Sequence, residues 1–394
     1  MRNRAGPGRV VHLTSVHGPH DTRILHKECC ALAEAGYDVT LVAPAPHDET
    51  VRGVKITAVP PARSRPERMT IGAWRVYRVG RRLDADLCHL PDPELLPWGL
   101  VLQATTGKPV IYDAHEYTNM DVSDKAWVPR VVAGPLAWFS DWVEKSIARR
   151  LAGVVTVNPH MAGLFRRVNP RVAVVANYPP RPTQPTSDRA PEHDTVIYVG
   201  GMGAIRGYAL LIEAMKLLRA RRPRAVCHIL GALYNPGLPQ RLAALGVDEL
   251  RAGGVEFLPT VPYAEIASHI STHAVGWLTW QRCPANLYGT PTKLLEYMAG
   301  GLPVVVSDLP LVTQIVRDAD CGLIVPWDSP KAHAEALAHL LENPDEARRM
   351  GANGRRAILE RMNWETERDA LVSFYDTFLR RRTPQRVPSH PELA

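Results

Sequence analysis

Apolar positions in the first half of the chain gather in short β-branched runs separated by longer amphipathic stretches. VVHLTS (10–15), YDVTLVAP (37–44), ADLCHL (85–90), KPVIYDAHE (108–116) and GVVTVN (153–158) read as strands. A helix near ILHKECCALAEAG (24–36) stops at Gly36, the residue type that tolerates a left-handed C-cap. Strands alternating with helices predict a parallel, doubly wound sheet.

After RVAVVANYPP (171–180) the composition changes to RPTQPTSDRAPEHD, rich in proline and polar residues, which reads as a linker. A second α/β series then follows: TVIYVGG (195–201), AVCHILGA (225–232), GVEFLP (254–259), AVGWLTW (274–280), PVVVSD (303–308) and GLIVP (322–326). Helices are expected between them, with late ones over 331–342, 345–361 and 364–381. The organisation expected is a first Rossmann-like domain over 1–178, a linker over 179–194 and a second Rossmann-like domain over 195–364. A C-terminal helix over 365–382 would pack back towards the first domain, followed by a mobile tail over 383–394. In such sheets ligands bind outside the carboxyl ends of the strands, so both domains are expected to face a central cleft.

A length of 394 residues suits two domains. No apolar run approaches the roughly 20 residues that span a bilayer. The start, MRNRAGPGRVVHL, lacks a cleavage-like segment, and the expected location is the cytoplasm. The six cysteines show no paired spacing and read as buried thiols. The net charge of +7 suits phosphate ligands or an anionic membrane surface, and it also fits a general arginine bias. Nucleic acid is not expected, because no zinc-finger spacing or RNA-binding aromatic motif is present.

Two segments carry the chemistry. YVGGMGAIRGYALLIEAM (198–215) is a strand, a glycine-rich turn and a helix, with Gly200, Gly201 and Gly203 allowing close backbone approach and Arg206 adding charge. The dinucleotide fingerprint is incomplete, so a nicotinamide cofactor is not expected; a phosphate site and a purely structural turn both fit. PTKLLEYMAGGLPVVVSD (291–308) sets Lys293 and Glu296 on one helical face. A lysine suits a phosphate oxygen and a carboxylate suits a ribose diol, while a solvated ion pair is the alternative. No His/Cys/Asp cluster has metal-ligand spacing.

The second segment resembles the signature of retaining glycosyltransferases of the GT-B fold, family four. Pro291, Lys293, Leu294, Glu296, Tyr297, Met298, Ala299, Gly301, Pro303, Val304 and Val305 match its P-x-K-L-x-E-Y-M-A-x-G-x-P-V-V run. The likeness extends to DTRILHKECCALAEAGYDVTLVAP, YDAHEY and VVANYPP in the first half. It implies transfer of a hexose-type sugar from a nucleoside diphosphate donor to a hydroxyl acceptor with retention of configuration. Polysaccharide, glycolipid or natural-product biosynthesis is the implied setting, the acceptor is lipid-linked in one version, and no cofactor or metal is needed.

Residue by residue, the resemblance implies that Glu296 holds the ribose, Arg206 binds the diphosphate and Lys293 lies near the phosphates. His115 would touch the donor sugar, Gly18 in SVHGPHDTR would approach the sugar or acceptor, and Pro259 and Thr260 would flank the base. The sequence departs from the family twice. Tyr288 stands where the fuller pattern has a second glutamate, with Asn286 as a substitute polar contact, and Gly201 stands where many relatives have arginine. A nucleotide-sugar epimerase of the same two-domain architecture is one alternative, and the two departures motivate another, an inactive nucleotide-sugar-binding relative.

Two further readings stay open at this level. Histidines 17 and 20 fit either a site loop or a structural one, with Asp21 and Arg23 pairing to order it. RMTIGAWRVYRVGRRLDADL (68–87) sets Arg68, Arg75, Arg78, Arg81 and Arg82 on one arc with Trp74 and Ile71, and Met69, Val76, Val79 and Leu83 on the other. That suits either an ordinary outer helix or peripheral contact with the inner face of a membrane through 68–83. The tryptophan-rich run 127–143 fits either core packing or an acceptor surface.

Overall fold

The apolar runs become the central strands of two separate parallel sheets. A computed structural model describes residues 7–115, 117, 130–183, 193–231, 247–259, 261 and 263–379. It divides into one unit of Met1–Ala176 with Glu367–Ala394 and a second of Asn177–Thr366.

The first unit holds β1 (Arg9–Leu13), β2 (Asp38–Pro44), β3 (Glu49–Val51), β4 (Val54–Val59), β5 (Leu87–Leu90), β6 (Val110–Ala114), β7 (Gly153–Thr156) and β8 (Val172–Val174). Their order is β3-β4-β2-β1-β5-β6-β7-β8, with β1 parallel to both β2 and β5. Helices cover the sheet, which is why β5, β6 and β7 are buried at every position and read as unbroken apolar runs. The chain order reverses between β1 and β5, so the carboxyl ends of these two strands flank a crevice.

The β3–β4 pair was not expected from the sequence. It is an antiparallel hairpin closed by Arg52 and Gly53, both at positive φ (+47° and +84°), the geometry of a two-residue turn that follows strand twist. A charged residue in the first turn position hides this signal, which is usually carried by Asn or Asp.

Asp21 does not pair with the Arg23 side chain, contrary to the ordering role considered above. Its Oδ1 accepts from the backbone N–H groups of Arg23 and Ile24 (both 2.9 Å), capping the helix that starts at Thr22. The Arg23 side chain turns into the core instead.

The segment Arg65–Glu67, Arg68–Gly72, Ala73–Arg82 is helical. Ala73, Val76, Tyr77 and Gly80 face inward, and a Cβ on Gly80 would lie 2.6 Å from Leu13 Cδ2, so any larger residue there would push the Leu13 side chain aside. Met69 lies outward with Ile71 and Trp74, not on the inner arc where its spacing put it. Several arginines of the outer arc are engaged within the protein: Arg68 with Glu94, Arg75 with Glu67 and Arg81 with the Tyr77 hydroxyl.

The second unit holds β9 (Thr195–Val199), β10 (Val226–Leu230), β11 (Val255–Leu258), β12 (Val275–Leu278), β13 (Val304–Ser307) and β14 (Gly322–Val325) in the order β11-β10-β9-β12-β13-β14. All pairings are parallel. The order reverses between β9 and β12, which places a second crevice at their carboxyl ends. The last helix, Trp364–Leu379, runs from the second unit into the first, where Ala176 N–H donates to Glu367 (2.6 Å) and Tyr37 donates to Asp376 (2.6 Å). Among the described residues no helix is long and apolar enough to cross a membrane.

Candidate active site

Beyond β9 the chain makes a glycine-rich turn, a short Ala204–Arg206 helical turn and the Tyr208–Arg221 helix. Gly207 joins the two at φ +81°, and a Cβ there would lie 1.9 Å from the Thr279 carbonyl oxygen. The long helix starts without a side-chain cap. With Trp280 beyond β12 and Thr290, Thr292 and Lys293 ahead, residues 200–206 line a cavity of about 630 Å³ at the switch point of the sheet. The Thr290 hydroxyl is buried there with no hydrogen-bond partner among the described residues.

Two cations face this cavity, and neutral groups hold both. Lys293 Nζ donates to the Tyr198 hydroxyl (2.8 Å) and sits over the Tyr198 ring at 4.2 Å and the Trp280 ring at 5.9 Å. Arg206 stacks over Trp280 at 4.3 Å and donates to Asn286 Oδ1 (3.2 Å). Burial, reinforced by the Arg206 charge and opposed by Glu296, pushes the Lys293 pKa down to about 7. Burial also lowers that of Arg206. Two desolvated cations side by side repel each other, and an anion entering the cavity would relieve both penalties.

The predicted residues divide by what they touch. Gly201, Gly203, Arg206 and Lys293 line the cavity together. Glu296 follows one turn after Lys293, half-buried. Asn286 is already engaged within the fold: its Nδ2 donates to the carbonyls of Ile205 and Gln281 (both 2.8 Å) while its Oδ1 receives Arg206. These bonds hold the arginine loop in place. Tyr288 ends the Pro284–Leu287 turn, half-buried and outside the cavity wall. Pro259 is exposed just beyond β11, and Thr260 lies outside the described residues. Tyr198 and Trp280 were missed, because one reads as a strand core residue and the other as an aromatic at a strand end. Both rings meet at Lys293 Nζ.

In the first unit, His115 follows β6 directly. Its Nδ1 lies 3.2 Å from the Asp113 carbonyl and 3.4 Å from the Asp113 carboxylate, two acceptors, so Nδ1 carries the proton. Burial would lower its pKa, but the bond and charge of Asp113 outweigh it and raise it. Asp113 is itself buried and receives Arg23 through both Nε (3.0 Å) and Nη2 (2.8 Å). Burial alone would raise the Asp113 carboxyl; Arg23, His115 and His89 hold it well below the usual range. His17 lies against His115 with ring centres 5.4 Å apart and meets Asp21 (3.3 Å) and Asp92 (3.5 Å), while His20 pairs with Glu49. At Gly18 a Cβ would meet nothing within 4 Å, so no internal contact demands glycine there.

Sequence spacing gave no hint of a buried group formed by His12 on β1, Glu28 on the first helix and His89 on β5. Three of their ligand-type atoms lie within 4.8 Å of one another. The two imidazole rings stack at 4.3 Å and 13°, so their lone pairs lie in parallel planes and one ion cannot sit in both. Burial and Asp113 push the Glu28 carboxyl well above the usual range, and burial lowers both histidines, so the neutral forms are favoured. The Tyr375 hydroxyl bridges His12 Nε2 (3.2 Å) and His89 Nδ1 (2.6 Å), fastening the last helix to the first unit.

Comparison with known proteins supports the same reading. The family model described as "Glycosyl transferases group 1" matches residues 182–357, and the one described as "Glycosyl transferase 4-like domain" matches residues 22–180. The chain is 26% identical over 329 residues to the "MMP alpha-(1->4)-mannosyltransferase" of Mycolicibacterium hassiacum, covering 80% of this chain and 76% of that protein. It is 29% identical over 361 residues to the "Phosphatidyl-myo-inositol mannosyltransferase" of Mycolicibacterium smegmatis, covering 88% and 87%. Among solved structures, the sucrose-phosphate synthase of Thermosynechococcus elongatus superposes with a TM-score of 0.74 at 18% identity, over 95% of this chain and 99% of that one. Anabaena HepE, solved in complex with UDP-glucose, gives 0.69 at 13% identity, over 94% and 100%. With two α/β units, a cationic cavity at a sheet switch point and these matches across both halves, the chain belongs to the group 1 glycosyltransferases of the GT-B fold.

Proposed function

We propose that the protein transfers a hexose-type sugar from a nucleoside diphosphate donor to a hydroxyl acceptor with retention of configuration. The observation that carries this is the pair Lys293 and Arg206, desolvated on aromatic rings beside an open glycine-rich turn and facing one cavity. A diphosphate supplies the negative charge that this arrangement lacks. In this reading Glu296 holds the ribose, Pro259 and Thr260 flank the base, and His115 and Gly18 meet the transferred sugar or the acceptor. Gly201 and Gly203 let the phosphates approach the backbone, and Tyr288 borders the sugar without the second acid.

During the reaction the bond between the anomeric carbon and the leaving phosphate oxygen breaks. The acceptor oxygen bonds to that carbon from the same face, and its proton passes to the leaving phosphate. Lys293, Arg206 and the amides of the turn stabilise the developing charge. The step calls for no protein nucleophile and no metal.

Relatives named as phosphatidyl-myo-inositol and D-inositol 3-phosphate transferases support a polyol or lipid-linked acceptor, and with it glycolipid or polysaccharide biosynthesis. Transfer near the inner face of a membrane fits this class of acceptor. The helix Ala73–Arg82 packs beside Leu96–Thr106, which packs beside Arg130–Ala148. Along this layer Ile71, Trp74, Trp138, Phe139 and Trp142 are exposed, so the tryptophans at 138 and 142 are surface rather than core residues; Trp127 lies outside the described residues. The epimerase alternative has no support from relatives named as transferases.

The test is incubation with a panel of nucleotide sugars while nucleoside diphosphate release is followed. Arg206→Ala and Lys293→Ala are each expected to lower turnover at least about tenfold, the loss of one charge-assisted hydrogen bond, with the fold intact. Near-wild-type rates in both variants would refute the phosphate assignment.

A further inference from the structure

Asp92 has no role in the donor reading, yet it occupies the switch point of the first sheet. It stands between Pro91 and Pro93 just beyond β5, is 1% exposed, and reaches across to the loop that follows β1. Its Oδ2 receives four donors: Thr14 Oγ1 (2.9 Å), Ser15 N–H (2.6 Å), Ser15 Oγ (3.2 Å) and Val16 N–H (3.1 Å). Its Oδ1 is buried and makes no hydrogen bond among the described residues. The nearest cation-capable atom is His17 Nε2 at 3.5 Å, beyond good hydrogen-bond length.

Asp92, His17 and His115 line a cavity of about 30 Å³ closed by Val16, Pro91, Pro93 and Tyr112. That volume holds one water-sized group and excludes a phosphate or a sugar ring. Its walls are largely apolar, so an entering group meets the buried Asp92 Oδ1 beside the His17 and His115 rings in a place where water is confined.

We propose that this cavity is a one-hydroxyl subsite in which Asp92 Oδ1 accepts a hydrogen bond from a hydroxyl of a sugar or polyol substrate. The proposal rests on the glycosyltransferase reading for the identity of the molecule, which is either the acceptor or the sugar of the donor. A substrate lacking that hydroxyl leaves Oδ1 unpaired, so the subsite selects for it.

Asp92→Asn tests this on the purified full chain. Four donors require an acceptor at the Oδ2 position, so the amide oxygen goes there and the NH₂ replaces Oδ1. The loop stays ordered while the cavity presents a donor in place of an acceptor. Binding of glycerol, myo-inositol, glucose and mannose is followed by saturation-transfer NMR, with and without the nucleotide sugar found in the turnover panel. At least one probe should bind the wild type and bind Asp92→Asn tenfold or more weakly, with the melting temperature and UDP or GDP affinity unchanged. A probe displaced by the nucleotide sugar marks a donor-sugar hydroxyl; one that binds beside it marks the acceptor.

Equal binding by both proteins, or no probe bound by the wild type, overturns the subsite. If Asp92→Asn does not fold, Val16→Leu, which narrows the cavity and leaves the carboxylate intact, carries the test: unchanged probe binding would overturn the proposal. A wild type that binds a probe but no nucleoside diphosphate would refute the donor reading and leave the subsite standing.

Discussion

At the scale of single residues, the proposed donor cavity turns on whether Lys293 carries its proton. Burial and Arg206 depress its pKa to about 7, while an unfolded lysine titrates near 10.5. A bound diphosphate favours the charged form and pulls the pKa back up. Above pH 7 the free protein has lost that proton, so binding must take one up, and affinity should fall by up to about tenfold per pH unit between pH 7 and 9. Titration calorimetry of UDP or GDP in buffers of different ionisation enthalpy would show the uptake, and Lys293→Met should abolish both the uptake and the pH dependence. The same depression predicts that folding stability rises with pH from about 7 towards 10.5, because over that window the unfolded chain binds the extra proton. Tyr198→Phe removes the acceptor that favours the ammonium. It should lower the Lys293 pKa further and move the loss of nucleotide affinity to lower pH. Lys293 and Arg206 could be picked out in the sequence as cations beside a glycine-rich turn and at the start of a helix, and both line the cavity. Tyr198, Trp280 and Asp92 could not, because their importance comes from strand-end neighbours up to 95 residues apart, such as Tyr198 beside Lys293.

At the scale of elements, both units place their chemistry where strand order reverses, and the connecting turns are shaped by backbone constraints. Gly207 is the sharpest of these, with a left-handed φ and a carbonyl where a Cβ would be. Gly207→Ala should cost about 2–4 kcal/mol through strain and displacement of the turn, lowering the melting temperature by roughly 5 °C or more. Nucleotide binding should weaken with it, because Arg206 is the preceding residue. The last helix depends on a different device. Tyr375→Phe leaves the two buried histidines without their shared hydroxyl and should cost about 1–3 kcal/mol. Hydrogen exchange should then accelerate in 367–379 first, before the central strands. The central strands of the parallel sheets were legible because burial on both faces makes them largely apolar runs, as in β5, β7, β9, β12 and β13. The β3–β4 hairpin was not, since Arg52 carries a positive φ without advertising it.

At the scale of the whole molecule, the matches to group 1 glycosyltransferases span both units, whereas the acceptor side rests on surface chemistry. The net charge of +7 and the exposed tryptophans along one helix layer fit an anionic lipid surface. The ion pairs of Arg68 with Glu94 and of Arg75 with Glu67 leave fewer free charges on 68–83 than the sequence alone suggested. Sedimentation with phosphatidylglycerol vesicles at low salt should capture the protein, and Trp138→Ala with Trp142→Ala should release it; no capture at low salt would refute membrane contact.

The central claim is that the cavity of residues 200–206, Trp280 and Lys293 receives the diphosphate of a nucleotide sugar. Calorimetric titration of UDP and GDP into the wild type and the Arg206→Ala/Lys293→Ala double variant tests it most directly. The account predicts measurable binding of one nucleotide by the wild type and a loss of about a hundredfold or more in the double variant, which retains its fold by circular dichroism. Equal affinity in the two proteins would contradict it.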